Sequence, residues 1–179
     1  AGNYIGVDAG GYFGLGNSKS GVMINTGYLV TIGGIAQGMA NIIAYNGGDG
    51  VTIGSDPAST SETDILVRGN SIYFNSDLGI DLGDDGVTAN DPGDTDSGPN
   101  KLQNYPLLTS AQGGASTTTV AGSLNSLPST TYWLDFYANP NGDDSGYGEG
   151  ELYLGSHTVT TDASGNADQR GKEHGADGE

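Results

Sequence analysis

The chain has no cysteine in its 179 residues, which excludes a disulfide framework and a thiolate metal site. Basic residues are nearly as scarce, with five Lys plus Arg against 22 Asp plus Glu and a formal charge of −17. Nucleic acid or an anionic membrane surface needs a basic patch, so neither is an expected partner. Polyanions are disfavoured as well, unless a divalent cation bridges them. Only two histidines occur, His157 and His174, which leaves zinc without ligands. No apolar run approaches the ~20 residues that span a bilayer. No basic-then-apolar leader is present either, and the pattern is already under way at Ala1, which reads as a piece of something longer or a mature product. Three Phe, one Trp and an apolar share of 34% argue against a bulky globular core.

What the chain has in quantity is glycine, 33 residues of it, and a period. Asn17-Ser-Lys-Ser-Gly21-Val-Met-Ile24 recurs as Asn46-Gly-Gly-Asp-Gly50-Val-Thr-Ile53 and again as Asn75-Ser-Asp-Leu-Gly79-Ile-Asp-Leu82, each copy 29 residues after the last. A fixed step in this range signals stacked structural units. Each copy ends in a three-residue segment with two apolar side chains on one face, too short to stand alone. If each repeat is one coil of a solenoid, equivalent strands stack in register and bury one another's apolar face. This predicts a parallel β-helix over residues 1–83. The Gly before each strand suits a turn, and so does the Asn four residues earlier. Stacking would align Asn17, Asn46 and Asn75 as an amide ladder, but the reading preferred on sequence is that they are turn formers only.

Three strands per repeat give a triangular section: Val22–Ile24, Tyr28–Ile32 and Asn41–Tyr45, then Val51–Ile53, Asp64–Val67 and Ser71–Phe74. Asn41 and Asn70 keep the 29-residue step while the middle strand slides, so the insertion falls at one corner, between Gly54 and Thr63. Asn3 matches Asn41 and Asn70 but stands too far from Asn17, so a Gly-rich loop with Tyr12 and Phe13 bulges between them. The loop is expected to belong to an irregular, capping terminal repeat; the alternative is a sugar-stacking aromatic loop.

Gly2-Asn-Tyr-Ile-Gly6, Val30-Thr-Ile-Gly-Gly34, Ala40-Asn-Ile-Ile43 and Arg68-Gly-Asn-Ser-Ile-Tyr73 resemble phrases of the right-handed parallel β-helix repeat proteins of bacterial secreted and cell-surface type. Leu78-Gly-Ile-Asp-Leu-Gly83 through Gly98-Pro-Asn-Lys-Leu-Gln-Asn-Tyr-Pro106 is similar to the segment closing the helix in many of them. The resemblance covers most of residues 1 to 168 and implies a secreted or cell-surface location. It is specific for architecture and not for activity, since lyases, glycosidases, adhesins and passive stalks share the fold.

Residues 84–100 form an acidic, Gly- and Pro-rich loop. Like charges this close repel unless a cation draws them together, and hard oxygens on a flexible loop suit Ca²⁺. The candidate ligands are Asp85, Asn90, Asp91, Asp94, Asp96 and Asn100. An EF-hand is excluded because position twelve from Asp94 is Tyr105. A structural Ca²⁺ is expected ahead of the alternative, a solvated acidic linker.

Over 101–168 the period gives way to longer alternating strands at Thr117–Leu124, Thr131–Ala138 and Glu151–Thr160, with Val120, Tyr132, Leu134, Phe136, Leu152 and Leu154 as core candidates. They read as an antiparallel β-module of immunoglobulin-like type that is truncated, because a sandwich takes about seven strands. Its phrases also resemble the module that comes after the helix in the same family. Residues 169–179 carry no apolar alternation and are expected to be a disordered tail.

Catalysis by a Ser nucleophile lacks its elbow motif, and His157 points away from its neighbour Ser156 on an alternating strand. Carboxylates are the better candidates: if the chain is an enzyme, Asp77, Asp81 and His157 are the residues to test, with Asp81, Thr52 and Tyr73 on an outward, solvated face. Two functions fit this pattern. One is an extracellular structural or adhesive segment, Ca²⁺-stabilised, contacting polysaccharide or cell-surface glycan, with self-association through open ends. The other is a carbohydrate-active hydrolase or lyase, or less favoured an esterase. A carboxylate pair beside an aromatic-walled groove favours the enzyme; a flat face with an ordered cation favours the scaffold.

Overall fold

The computed structural model describes residues 1–114, 117–143 and 146–175, with side chains up to 168. It is all-β, with parallel and antiparallel sheets and no α-helix among the described residues. The strands in chain order are β1 Tyr4–Ile5, β2 Val22–Ile24, β3 Gly27–Tyr28, β4 Thr31–Gly33, β5 Ile42–Ala44, β6 Val51–Ile53, β7 Glu62–Thr63, β8 Leu66–Arg68, β9 Ser71–Tyr73 and β10 Ile80–Leu82. After these come β11 Leu107–Gly113, β12 Thr117–Asn125, β13 Thr131–Ala138, β14 Leu152–Thr160 and β15 Asn166–Gly175. The chain divides into two compact units. The first holds Ala1–Thr88, Ser97–Leu102 and Tyr137–Tyr153; the second holds Ala89–Asp96, Gln103–Phe136 and Leu154–Glu179.

In the first unit the 29-residue step becomes strand pairing. Val22 lies beside Val51 and Val51 beside Ile80, so β2, β6 and β10 form one parallel sheet in register. β1, β5 and β9 form a second, and the pairs β3–β7 and β4–β8 complete the set, all parallel. Because side chains alternate along a strand, register sends Val51 and Ile53 to one face. There they join Ile32, Ile43, Ile65 and Ile72 in the buried core, with Val22, Ile24 and Leu82 packed against it.

The middle strand differs from expectation. Leu29 and Asp64 adopt positive φ, 54° and 57°: Leu29 splits the strand expected over Tyr28–Ile32 into β3 and β4, and Asp64, expected to open a strand, instead separates β7 from β8. Tyr45 and Phe74 also adopt positive φ, 59° and 53°, and bend the chain where β5 and β9 end. The insertion falls where expected: Gly27 pairs with Glu62, 35 residues on, and the step returns to 29 at the Asn41–Asn70 bond because the chain after β8 is correspondingly shorter. The loop after β1 is ordered by Asp8, whose carboxylate accepts the amides of Tyr12 (2.8 Å) and Phe13 (3.1 Å) and leaves both rings in solvent.

The asparagines are more than turn formers. Asn17 donates its amide N–H (3.2 Å) and its Nδ2 (2.9 Å) to Asn46 Oδ1, and Asn46 donates the same pair to Asn75 Oδ1 at 3.1 and 2.8 Å. A second ladder runs from Asn3 to Asn41 to Asn70 with the same pattern. Asn41, Asn46 and Asn70 are almost fully buried, so the ladders satisfy corner amides that water does not reach.

In the second unit β11, β12 and β15 form an antiparallel sheet. β13 pairs with β14, whose ends meet through Thr131 Oγ1 and Thr160 Oγ1 at 2.9 Å. Val120 is buried as expected, together with Leu124 and Val159, whereas Leu152 is exposed. The expected disordered tail is not what the backbone forms through Gly175: β15 pairs with β12 from Asn125–Asn166 to Thr117–Gly175. Backbone hydrogen bonding asks for no apolar alternation, which is why the sequence pattern missed it. Residues 176–179 lie outside the described residues.

Candidate functional site

Two acidic sites stand out, one in each unit. In the first unit an open cleft of about 700 Å³ is lined by Asp49, Asp77, Asp81, Asp84, Asp143 and Glu149, together with Phe74. Among the described residues no basic side chain lines it.

Asp81 and Thr52 occupy the middle positions of β10 and β6, so both point away from the apolar core, as alternation predicts. The solvated face expected there is absent: Thr52 is fully buried, and Asp49 and Asp81 are each 4% exposed. The Asp81 carboxylate reaches over the turn after β10 and accepts the amides of Asp84 (3.1 Å) and Gly86 (2.9 Å). Asp49 accepts the amide of Leu78 at 3.0 Å and the Thr52 hydroxyl at 2.7 Å. Sequence reasoning placed Tyr73 on this face as well, but it sits on β9, in a different sheet. Its ring packs against Tyr45 and Phe74 at centroid distances of 5.9 and 5.5 Å. Asp77 is exposed at the cleft, and His157 lies on β14 in the other unit, half-buried.

Sequence reasoning missed Glu149, which comes from the segment between β13 and β14. Its carboxylate accepts the Asn75 amide N–H at 3.2 Å and Asn75 Nδ2 at 2.7 Å. Burial pushes the Glu149 carboxyl up from its ordinary value, against the opposing hydrogen bonds from Asn75. Asp81 is also pushed up by burial, with the Asp49 and Asp85 charges adding to the effect and the Gly86 and Asp84 amides opposing it. No spacing rule links residue 149 to residue 75, so only the fold reveals the pair.

The direction of these shifts gives a pH dependence. A carboxyl whose folded pKa lies above its unfolded value, 3.8 for Asp81 and 4.5 for Glu149, binds its proton more tightly when folded. The resulting stabilisation is full below those values and is lost as pH rises through the elevated ones. Glu149→Gln keeps an acceptor for Asn75 and removes the buried charge. The variant is therefore expected to melt higher than wild type at pH 7 and to match it near pH 4, by calorimetry at both pH values. A lower melting point at pH 7 would contradict this.

In the second unit Asp91, Asp94 and Asp96 converge, each offering an oxygen within 4.8 Å of the other two, and the cluster can hold a metal ion. Asp94 is buried. Its Oδ1 accepts the Asn104 amide at 2.9 Å and its Oδ2 the Ser126 hydroxyl, which also bonds Tyr132 at 2.7 Å. Asp91 and Asp96 each hold one buried carboxylate oxygen, Oδ1, with no hydrogen-bond partner among the described residues. Burial, and then the charges of Asp91 and Asp94, push the Asp96 carboxyl up. The remaining ligand candidates are engaged elsewhere. Asn90 bonds both the carbonyl and amide of Tyr105, and Asn100 does the same with Ile65. Asp85 is exposed and belongs to the first unit, near Asp81. Asn side chains carry a donor and an acceptor, which suits them to backbone groups, whereas a carboxylate can only accept. That difference separates the two sets.

No family model matches the chain.

Proposed function

We propose that this chain is an extracellular structural or adhesive segment, secreted or held at a cell surface. Its first unit is read as coils of a right-handed parallel β-helix, and its second as a partial sandwich-like module stiffened by Ca²⁺ at Asp91, Asp94 and Asp96. The observation that carries the scaffold reading is the pair of asparagine ladders, whose buried amides are committed to joining one repeat to the next. The carboxylates at the cleft support the same reading. Asp49, Asp81 and Glu149 accept hydrogen bonds from backbone amides, which holds turns in place and leaves these groups poorly suited to moving protons. Tyr12 and Phe13, 81% and 72% exposed, offer ring faces on which a neutral glycan can stack.

One feature favours the competing reading, a carbohydrate-active hydrolase or lyase: the open cleft unites Asp77 and the elevated Asp81 beside the Phe74 ring. Incubation with neutral and acidic polysaccharides and simple esters, Ca²⁺ present, separates the two. The scaffold reading expects no product and retention of the protein on one polysaccharide. Product formation that falls at least about a hundredfold in Asp81→Asn would establish the enzyme instead.

A further inference from the structure

Four steps in which Asn or Asp precedes Gly lie among the residues with described side chains: Asn46–Gly47, Asp49–Gly50, Asp85–Gly86 and Asn141–Gly142. At such a step the backbone can react with its own side chain, because glycine leaves its amide nitrogen unshielded and free to approach. In three of the four that nitrogen is committed. Gly47 donates to the Asn17 carbonyl at 2.8 Å, Gly50 to the Leu78 carbonyl at 2.8 Å and Gly86 to Asp81 Oδ2 at 2.9 Å. Asn46 is held further by its ladder, with both Oδ1 and Nδ2 bonded. Asn141–Gly142 is different. Both residues are exposed, and among the described residues neither the Asn141 side chain nor the Gly142 N–H makes a hydrogen bond. A Cβ built on Gly142 meets nothing within 4 Å. The step nevertheless sits in a loop closed at its base, where Asn139 bonds the Glu149 carbonyl (2.6 Å) and the Glu151 amide (2.8 Å).

We propose that Asn141 is a site of spontaneous deamidation in the folded protein, and that its product adds a carboxylate beside the acidic cleft. The Gly142 nitrogen gives its proton to hydroxide and bonds to Asn141 Cγ. The Cγ–Nδ2 bond breaks, and ammonia leaves with a proton taken from water. A second water then opens the cyclic imide at either carbonyl, leaving aspartate or isoaspartate, so water is the only co-reactant. Gly142 and Asp143 line the cleft together with Glu149, and Asn141 lines a smaller cavity with Asp143, Glu149 and Glu151. The new charge therefore joins three carboxylates. Like charges disfavour one another's ionised forms, as Asp143 already does to Glu149. The modification is independent of the function proposed above, since it needs only the fold and water.

Peptide mapping after incubation in mildly alkaline buffer tests it, with isoaspartate read by enzymatic methylation. In the folded protein Asn141 is expected to convert at least about tenfold faster than Asn46, which reacts only when its ladder opens. In urea the two should convert at similar rates, since both precede glycine. Gly142→Ala is expected to slow conversion at Asn141 at least about tenfold, because a Cβ shields the attacking nitrogen. That variant should keep the fold, as the added carbon meets open space. Asn141→Asp, standing for the product, is expected to melt roughly 2 °C below wild type at pH 7. The two should coincide below the ordinary carboxylate range, where the added group is neutral. Equal rates at Asn141 and Asn46 in the folded protein, or conversion that Gly142→Ala leaves unchanged, would overturn the site. Melting of Asn141→Asp that equals wild type at pH 7 would overturn its effect on the cleft.

Discussion

Asn46→Ala lowers the stability of the first unit by about 3 kcal/mol, the largest effect expected of any single ladder substitution. Asn46 is 1% exposed and sits at the centre of its ladder. Truncation removes the acceptor for Asn17 N–H and Nδ2 and the Nδ2 donor to Asn75. Each lost bond costs about 1 kcal/mol, and a cavity adds to it because the site is packed tightly. A Cβ built on Gly6 or Gly21 falls 2.6 or 2.7 Å from the Asn46 amide. Asn17→Ala, at the exposed end, is expected to cost about 1 kcal/mol, since water reaches what is left. Asn46→Asp keeps the shape but sets a buried carboxylate against Asn75 Oδ1, so at pH 7 it should be less stable than alanine. Its folded pKa would be raised, so stability returns as pH falls through that raised value and is fully restored below the ordinary carboxylate range. Urea melts of the three variants check this. Equal losses for Asn46→Ala and Asn17→Ala would reduce the ladder to a set of turn formers.

The ladder also marks how far the sequence could be read. Recurrence at one step is enough to place β2, β6 and β10 side by side, because a fixed spacing with alternating apolar residues has one compact solution: register stacking. The same logic found the sliding corner before β7. Chain direction within a repeat was harder. Leu29, Tyr45 and Phe74 bend the chain at positive φ without glycine, and nothing in those residue types announces it, whereas Asp64 is of a type that enters that region more readily. Long-range satisfaction was invisible altogether. Glu149 reaches Asn75 across 74 positions, and Asn90 and Asn100 turned from metal candidates into backbone partners once Tyr105 and Ile65 came within reach. Outwardness was read correctly for Asp81 and Thr52, but outward did not mean solvated, because the turn after β10 folds over Asp81. In the acidic loop, Asp91, Asp94 and Asp96 were legible because close carboxylates without a basic residue need either water or a cation.

Adding Ca²⁺ to the second unit should have the other large effect. Two buried carboxylate oxygens, on Asp91 and Asp96, lack a hydrogen-bond donor among the described residues, and burying an acceptor without a partner costs about 1–3 kcal/mol, more for a charged one. Asp94 cannot relieve them, since its own oxygens hold Asn104 and Ser126. A divalent cation among the three would supply the missing interaction and tie the loop to the end of β12. A ligand bound only by the folded state stabilises it by about 2.7 kcal/mol at a hundredfold excess over its Kd. For a unit of this size that corresponds to a rise of roughly 10 °C or more in Tm. Calorimetry with Ca²⁺ against EDTA should show that difference at pH 7. The gap should narrow in acid, because the raised Asp96 carboxyl then holds a proton that competes with the cation. Asp96→Asn removes one charge and should abolish most of the Ca²⁺ response while leaving the EDTA melt unchanged or higher, since a buried charge is gone. Identical melting with Ca²⁺ and with EDTA would eliminate the cation.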